Sequence, residues 1–333
     1  MALHKKLKPK ILPTPQEALN HEKTVYRSEH WENHKAELEE LLIPHNREKL
    51  IKDNILTRKD YLDLIKTRED IERFEKRIRD DDQLYFYGDT HKNDLKDLEF
   101  SRMEYFITEF FEKNKGKKNI ALVEGGMRKE IDIKKEKFGT SAQFLQYFAK
   151  QNNCPVESPE PDSDEEIEYI KKQWVKKEYI AYYYVWRMIS QWHRLKDLQK
   201  PSLEKYIEGA FRWNFFTKIY GEPYSLKLFQ NIHTSIFEDK LDLSDADHFK
   251  RISNPYSTYS PNISSTYSTY SPHISNVSCL SWRYRDQHIV ETVLNYLENG
   301  YKVMIVYGGG HLIIQHKIYD EYQEAITYAT SFF

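Results

Sequence analysis

Two stretches of this 333-residue chain run apolar and then end in Gly-x-x-His. In LYFYGDTH, Leu84–His91, Gly88 precedes His91 by three residues; in YKVMIVYGGGHL, Tyr301–Leu312, Gly308 stands the same way to His311. A short run rich in β-branched and aromatic residues, stopped by glycine, reads as a buried strand. Glycine tolerates positive φ and lets backbone or ligand approach. Each stretch therefore lifts one imidazole off the carboxyl end of a strand, the edge where open α/β sheets bind ligands. A third run, Ile120–Val123, ends in Glu124-Gly125-Gly126. One Gly-x-x-His alone is a weak signal. Two after similar strands, with Glu124 between them, point to a shared site.

Two histidines and a carboxylate are a donor set that Zn²⁺, Mn²⁺, Co²⁺ or Fe²⁺ accepts, so His91, His311 and Glu124 are the expected metal ligands. A metal there would turn bound water into a hydroxide nucleophile near neutral pH. Without a metal the same residues suit hydrolysis by a His/Glu general base. Asp89 would orient a ligand or the water, and Arg285 would hold a substrate carboxylate or a developing oxyanion. Spacing does not choose between the two chemistries.

The elements that must position these residues read as α/β. The spacing predicts a strand over Gln83–Tyr87, a helix over about 95–114, a turn over Lys115–Asn119 and a strand over Ile120–Val123, a βαβ unit of the right-handed kind. Leu98, Met103, Phe106, Phe110 and Phe111 form the helix's inner face. A helix over Ser141–Ala149 and a short strand over Pro155–Glu157 follow. Ser163 and Glu166 form a capping box that opens one long aromatic helix to Leu195, read as a packing surface. Helices near Leu203–Ile219 and Ser225–Phe237 supply Trp213, Phe215, Phe216 and Phe229 to a core. A helix over Arg283–Leu297, with Arg285, Asp286 and His288 in its first turn, leads into the strand before His311. A last helix runs over Tyr319–Thr330. The expected fold is α/β: a mixed or parallel central sheet flanked by helices, residues 81–333, with an aromatic helical insertion over 163–238.

Residues 1–80 read as a charged helical region behind an irregular arm, 1–15, with amphipathic helices at Ala36–Leu42 and Lys59–Phe74. His30 and His34, four apart in HWENH, lack the glutamate of the metalloprotease helix and read as a solvated face. Asn254–Asn276 carries two near-identical YSTYSP copies, starting at Tyr256 and Tyr267. Two copies make no solenoid, and the composition predicts a long loop, a lid or a surface insertion, in which His273 would be able to reach a site.

Lys+Arg 50 against Asp+Glu 52 gives a formal net charge of −2, with no basic patch interleaved with aromatics, so no nucleic-acid partner is expected. Two cysteines, Cys154 and Cys279, make neither a disulfide framework nor a Cys-type zinc site. The basic N-terminus lacks an apolar signal core, and no apolar run reaches the roughly 20 residues of a membrane span. The expectation is a soluble cytoplasmic protein with no membrane partner.

Taken together, YGDTH (His91), ALVEGG (Glu124), PVESPE (Glu157), RYRDQHIV (Arg285) and YGGGHL (His311) resemble the TraB/Tiki superfamily, which includes erythromycin-esterase-like and ChaN-like domains. The resemblance covers about residues 83–315 and implies an α/β fold and, in the Tiki branch, metal-dependent peptide hydrolysis. It implies metal or catalytic roles for His91, His311 and Glu124, and catalytic roles for Glu157 and Arg285. The N-terminal region and the Tyr/Ser/Pro repeat are not features of that family. The expected function is a metal-dependent hydrolase of a peptide, ester or amide bond in a small-molecule or peptide substrate, with Zn, Mn or Co as the metal. The alternatives are a haem- or small-ligand-binding module of the same fold, and a calcineurin-like metallophosphatase. Gly88-Asp89-Thr90-His91 resembles the phosphatase opening Gly-Asp-x-His, but its GDxxDR and GNH motifs are missing here.

Overall fold

Among the described residues five strands make one sheet: β1 (Glu75–Arg77), β2 (Leu84–Asp89), β3 (Asn119–Val123), β4 (Val156–Glu157) and β5 (Lys302–Gly308). Their order is β1-β2-β5-β3-β4. β2, β5, β3 and β4 run parallel, and β1 adds an antiparallel edge to β2. The computed structural model describes residues 47, 51, 53–55, 75–77, 83–193, 200–210, 215–237, 240–244 and 272–330. The chain divides into two compact units, residues 1–53 and 54–333. In the first, Arg47, Ile51 and Asp53 are helical. The expected arm, the helices at 36–42 and 59–74, His30, His34, Trp213 and repeat residues 254–271 lie outside the described residues.

The strands form where aromatic and β-branched residues are buried on both faces, as parallel sheets require. Tyr85 and Tyr87 point to one face, where their rings meet Phe106 and Phe110 of helix α1 (Leu98–Lys113). Phe86 points to the other, against Tyr319 of helix α9 (Gly309–Thr330). That alternation is the two-residue period of a strand. α1 is capped by Asp97, whose side chain accepts from Glu99 N–H. Leu98 departs from the expected inner face and is exposed, because it occupies the first helical position; Phe100 and Ile107 are buried instead. Helix α2 (Ser141–Gln151) starts with a Thr140/Gln143 capping box.

The aromatic insertion packs as a second core. It comprises α3 (Ser163–Lys172), α4 (Lys177–His193), α5 (Leu203–Ala210), α6 (Phe215–Tyr220) and α7 (Leu226–Phe237). Tyr182, Tyr183, Trp186, Phe216 and Phe229 are buried in it, with Ile274 and Val277 of helix α8 (Pro272–Glu298). The single long helix expected from 163 breaks at Trp174, whose φ of 59° is left-handed and ends α3. The N-cap of α3 is Asp162 rather than Ser163; its carboxylate accepts from Asp164 N–H. α8 is also longer than expected. Residues 272–276 of the expected repeat loop are helical, and Arg285, Asp286 and His288 sit mid-helix rather than in a first turn.

Candidate functional site

The last strand in the chain, β5, inserts between β2 and β3, so the two Gly-x-x-His stretches become neighbours despite their separation in sequence. Asp89 pairs with Gly308 and Gly88 with Tyr307, while Val123 on the other side pairs with Val306. Three strand ends therefore deliver Asp89, Glu124 and Gly308 to one rim.

Asp89, almost fully buried, organises the first turn. Its Oδ1 accepts His91 N–H at 2.9 Å, and its Oδ2 lies 3.1 Å from His91 Nδ1. Ser141 Oγ at the start of α2 donates to the same Oδ2. A carboxylate only accepts, so His91 Nδ1 carries a proton and Nε2 is the basic nitrogen. These contacts hold His91 at φ 59°, a left-handed conformation that a non-glycine residue adopts only when its surroundings impose it. Thr90 N–H is bound by Glu99. Burial raises the Glu99 pKa, the Thr90 hydrogen bond opposes this, and the Asp89 charge raises it further.

His91 Nε2 faces Glu124 Oε2 at 4.0 Å. That oxygen accepts Gly308 N–H at 2.7 Å. Glycine at 308 is what permits the approach: a Cβ there would stand 2.8 Å from His91 Nε2 and 3.2 Å from Glu124 Oε2. Gly125 and Gly126, at φ 72° and 83°, turn the chain away immediately after Glu124.

Behind Glu124 lies Arg285, with Nη2 3.9 Å from Glu124 Oε1. The guanidinium is buried and clamped by Glu160, Nε to Oε2 at 2.8 Å and Nη2 to Oε1 at 2.7 Å. Tyr307 O–H donates to Glu160 Oε1 at 3.2 Å. Burial alone would raise the Glu160 pKa. The Arg285 charge and its paired hydrogen bonds outweigh burial, with smaller help from His311 and Arg187, and hold it at about 2. Burial and the Glu160 charge push the Tyr307 hydroxyl upward.

His311 departs from the expected exposed turn. β5 passes directly into α9, and His311 sits in that helix's first turn, 2% exposed. Its Nδ1 is 2.7 Å from Asp286 Oδ1, which also accepts Gln315 Nε2 at 2.6 Å. Trp282 stacks on its ring at 4.8 Å and Tyr307 meets it edge-on at 5.5 Å. Asp286 Oδ2 is buried without a hydrogen-bond partner among the described residues.

The structure brings Asp89, His91 and Glu124 together, sets Arg285 against Glu124, and leaves Glu157 elsewhere. Glu157 Oε2 accepts Tyr296 O–H at 2.5 Å. Tyr296 is three turns along α8 from Arg285, about 16 Å at the helical rise. The carboxylate that meets Arg285 is Glu160, three residues on in the same Ser-Pro-Glu-Pro turn. Sequence alone offered two glutamates flanked by prolines and no means to choose, because β4 is only two residues long. His273 stacks on Tyr179 at 4.5 Å, within the helical insertion.

Among the described residues, no group of three or more His, Cys, Asp or Glu side chains is arranged to hold a metal ion. His91, Glu124 and His311 thus do not converge as the ligand set expected from their types, and the residues present do not fit such an ion in this arrangement. What they do form is an Asp–His pair beside a carboxylate backed by a buried arginine that is itself paired with Glu160.

Comparison with protein-family models, with curated proteins and with solved structures finds no match.

Proposed function

We propose that the protein is a hydrolase of ester or amide bonds in a small-molecule or peptide substrate, with His91 and Glu124 at the reacting centre. The observation that carries this reading is the geometry at the strand ends. Asp89 fixes the Nδ1 proton of His91, and the basic Nε2 and the Glu124 carboxylate face one another across 4.0 Å. In such a pair the imidazole takes a proton from water as the water attacks a carbonyl carbon, and Asp89 steadies the imidazolium that forms. Glu124 is held in place by Gly308 N–H and faces the nitrogen that gains the charge. Arg285, saturated by Glu160 and buried, is not available as a substrate anchor; its role is to back Glu124 from 3.9 Å.

The resemblance to the TraB/Tiki superfamily points to the same reaction class, through a metal. No step here is assigned to a metal, because the donors are not gathered around one position. No helix among the described residues is long and apolar enough to cross a membrane. Cytoplasmic location remains part of this proposal, on the composition.

The test is hydrolysis of a panel of p-nitrophenyl esters and anilides by the purified chain, with metal content measured alongside. The reading predicts turnover that His91→Ala and Glu124→Gln each lower strongly and that a chelator leaves intact. Turnover lost to chelator and restored by one divalent ion would favour the metal-dependent form. No turnover of any substrate, with a folded protein, would remove the hydrolase reading.

A further inference from the structure

The charges at the rim raise the question of which cation is available to a substrate. Arg285 is not, being almost fully buried and engaged on two edges by Glu160. Arg128 is different. It lies in the loop after β3, four residues beyond Glu124, and is exposed. Its Nη2 lies over Gly125, 2.7 Å from where a Cβ would stand, so the guanidinium rests on the residue next to Glu124. It pairs with no carboxylate among the described residues. Two of the loop's acids are engaged elsewhere: Glu130 by Lys150, and Asp132 by Lys135.

The backbone that carries Arg128 is also held deliberately. Gln146 of α2 is buried, and its side-chain amide serves the loop. Its Oε1 accepts Arg128 N–H at 3.2 Å, while Nε2 donates to Arg128 O at 3.4 Å and lies 3.6 Å from Met127 Sδ. Ser158 Oγ accepts Gly126 N–H at 3.1 Å, pinning the loop's other end. Burying an amide is favourable only when it is hydrogen-bonded, and here those bonds go to main chain that would otherwise be free to move. The result is a loop whose held main chain carries an exposed guanidinium over Gly125, the residue next to the strand-end glutamate.

We propose that Arg128 is an anion subsite of this centre and that the preferred substrate carries a carboxylate a few bonds from the scissile carbonyl. A guanidinium presents two parallel N–H donors that match the two oxygens of a carboxylate, which an ammonium does not. Gly125 is part of the subsite: a Cβ there would stand 2.7 Å from Arg128 Nη2, so glycine leaves the guanidinium its place. The proposal takes its reacting centre from the hydrolase reading, but its test separates the two.

Two probe pairs serve. p-Nitrophenyl hemisuccinate and p-nitrophenyl butyrate share a leaving group and differ in the carboxylate. The ketones 3-benzoylpropionate and butyrophenone differ in the same way and are not hydrolysed. The wild-type chain is expected to favour the charged member of each pair by about tenfold, in kcat/KM for the esters and in Kd by calorimetry for the ketones. Arg128→Ala, at an exposed position, should erase both preferences, and Arg128→Lys should keep only part of them. Equal binding of the two ketones by wild type, or a preference that Arg128→Ala retains, overturns the subsite. Arg128-dependent binding without ester turnover supports the subsite and refutes the hydrolase; turnover without Arg128 dependence does the reverse.

Discussion

Adding one methyl group at Gly308 should separate catalysis from stability. The Cβ of an alanine at this position would stand 2.8 Å from His91 Nε2, 3.1 Å from Cε1 and 3.2 Å from Glu124 Oε2, against 3.4 Å for ordinary contact. The ring must retreat by about 0.6 Å, and Glu124 by a few tenths of an ångström, away from the space they share. The Gly308 φ is not left-handed, so alanine introduces no backbone strain there. The hydrogen bond from residue 308 N–H to Glu124 also survives the substitution. The His91 side chain is 58% exposed, so its displacement does not disturb the buried core and the stability loss should stay below about 1 kcal/mol. A displacement of that order at a proton-transferring group lowers kcat by roughly 10²-fold. The assay is ester hydrolysis by Gly308→Ala beside thermal unfolding of the same sample. Gly209→Ala in α5 is the control: nothing among the described residues lies within 4 Å of its Cβ, and it should add about 0.5–1 kcal/mol of stability without touching the rate. Full activity in Gly308→Ala would refute the placement of His91 at the reacting centre. A loss of activity matched by a collapse in stability would show that glycine serves packing alone.

Acid should loosen the fold through Glu160. Its pKa is about 2 in the folded chain against an ordinary 4.5, so its contribution is complete above pH 4.5 and is lost as pH falls toward 2. The whole difference corresponds to about 3 kcal/mol, of which about 2 kcal/mol should be lost between pH 6 and pH 3, read as urea midpoints, with a shallower dependence in Glu160→Gln. Arg285→Met leaves a buried carboxylate uncompensated and should lose about 3–5 kcal/mol in chemical denaturation, while Arg285→Met with Glu160→Met recovers most of it. In the aromatic insertion, Tyr182→Phe removes a buried bond of 2.7 Å to His233 Nδ1 and should lower stability by about 1–2 kcal/mol without changing ester turnover.

Much of the sheet was legible because its signal is local. The runs LYFY, NIALV and VMIVYG read as buried strands, and their glycines marked the carboxyl ends; the helix over 141–149 extends only to Gln151. The meeting of His91 with Glu124 was legible as an idea, since both follow strand ends. The mechanism that achieves it was not. Insertion of β5 between β2 and β3 is a long-range choice that no local pattern encodes. His311 shows the limit of the glycine argument. Gly309 and Gly310 read as a turn but enter α9 as its first residues, which carries the imidazole inward onto Asp286 and Trp282. Trp174 shows the converse, a non-glycine residue in a left-handed conformation that ends a helix where periodicity continued. Glu160 was hidden because a two-residue strand gives no alternation from which to assign faces. Arg128 carries no motif; only the Gln146 amide and the empty Cβ position at Gly125 mark it.

The most direct measurement is a double-mutant comparison of kcat/KM for His91→Ala, Glu124→Gln and the two combined. If both side chains act on one reacting centre, the combined variant should be no slower than the slower single one, because either loss already disables the pair. If instead the two losses multiply, His91 and Glu124 work independently, and the shared site at the ends of β2, β5 and β3 is contradicted.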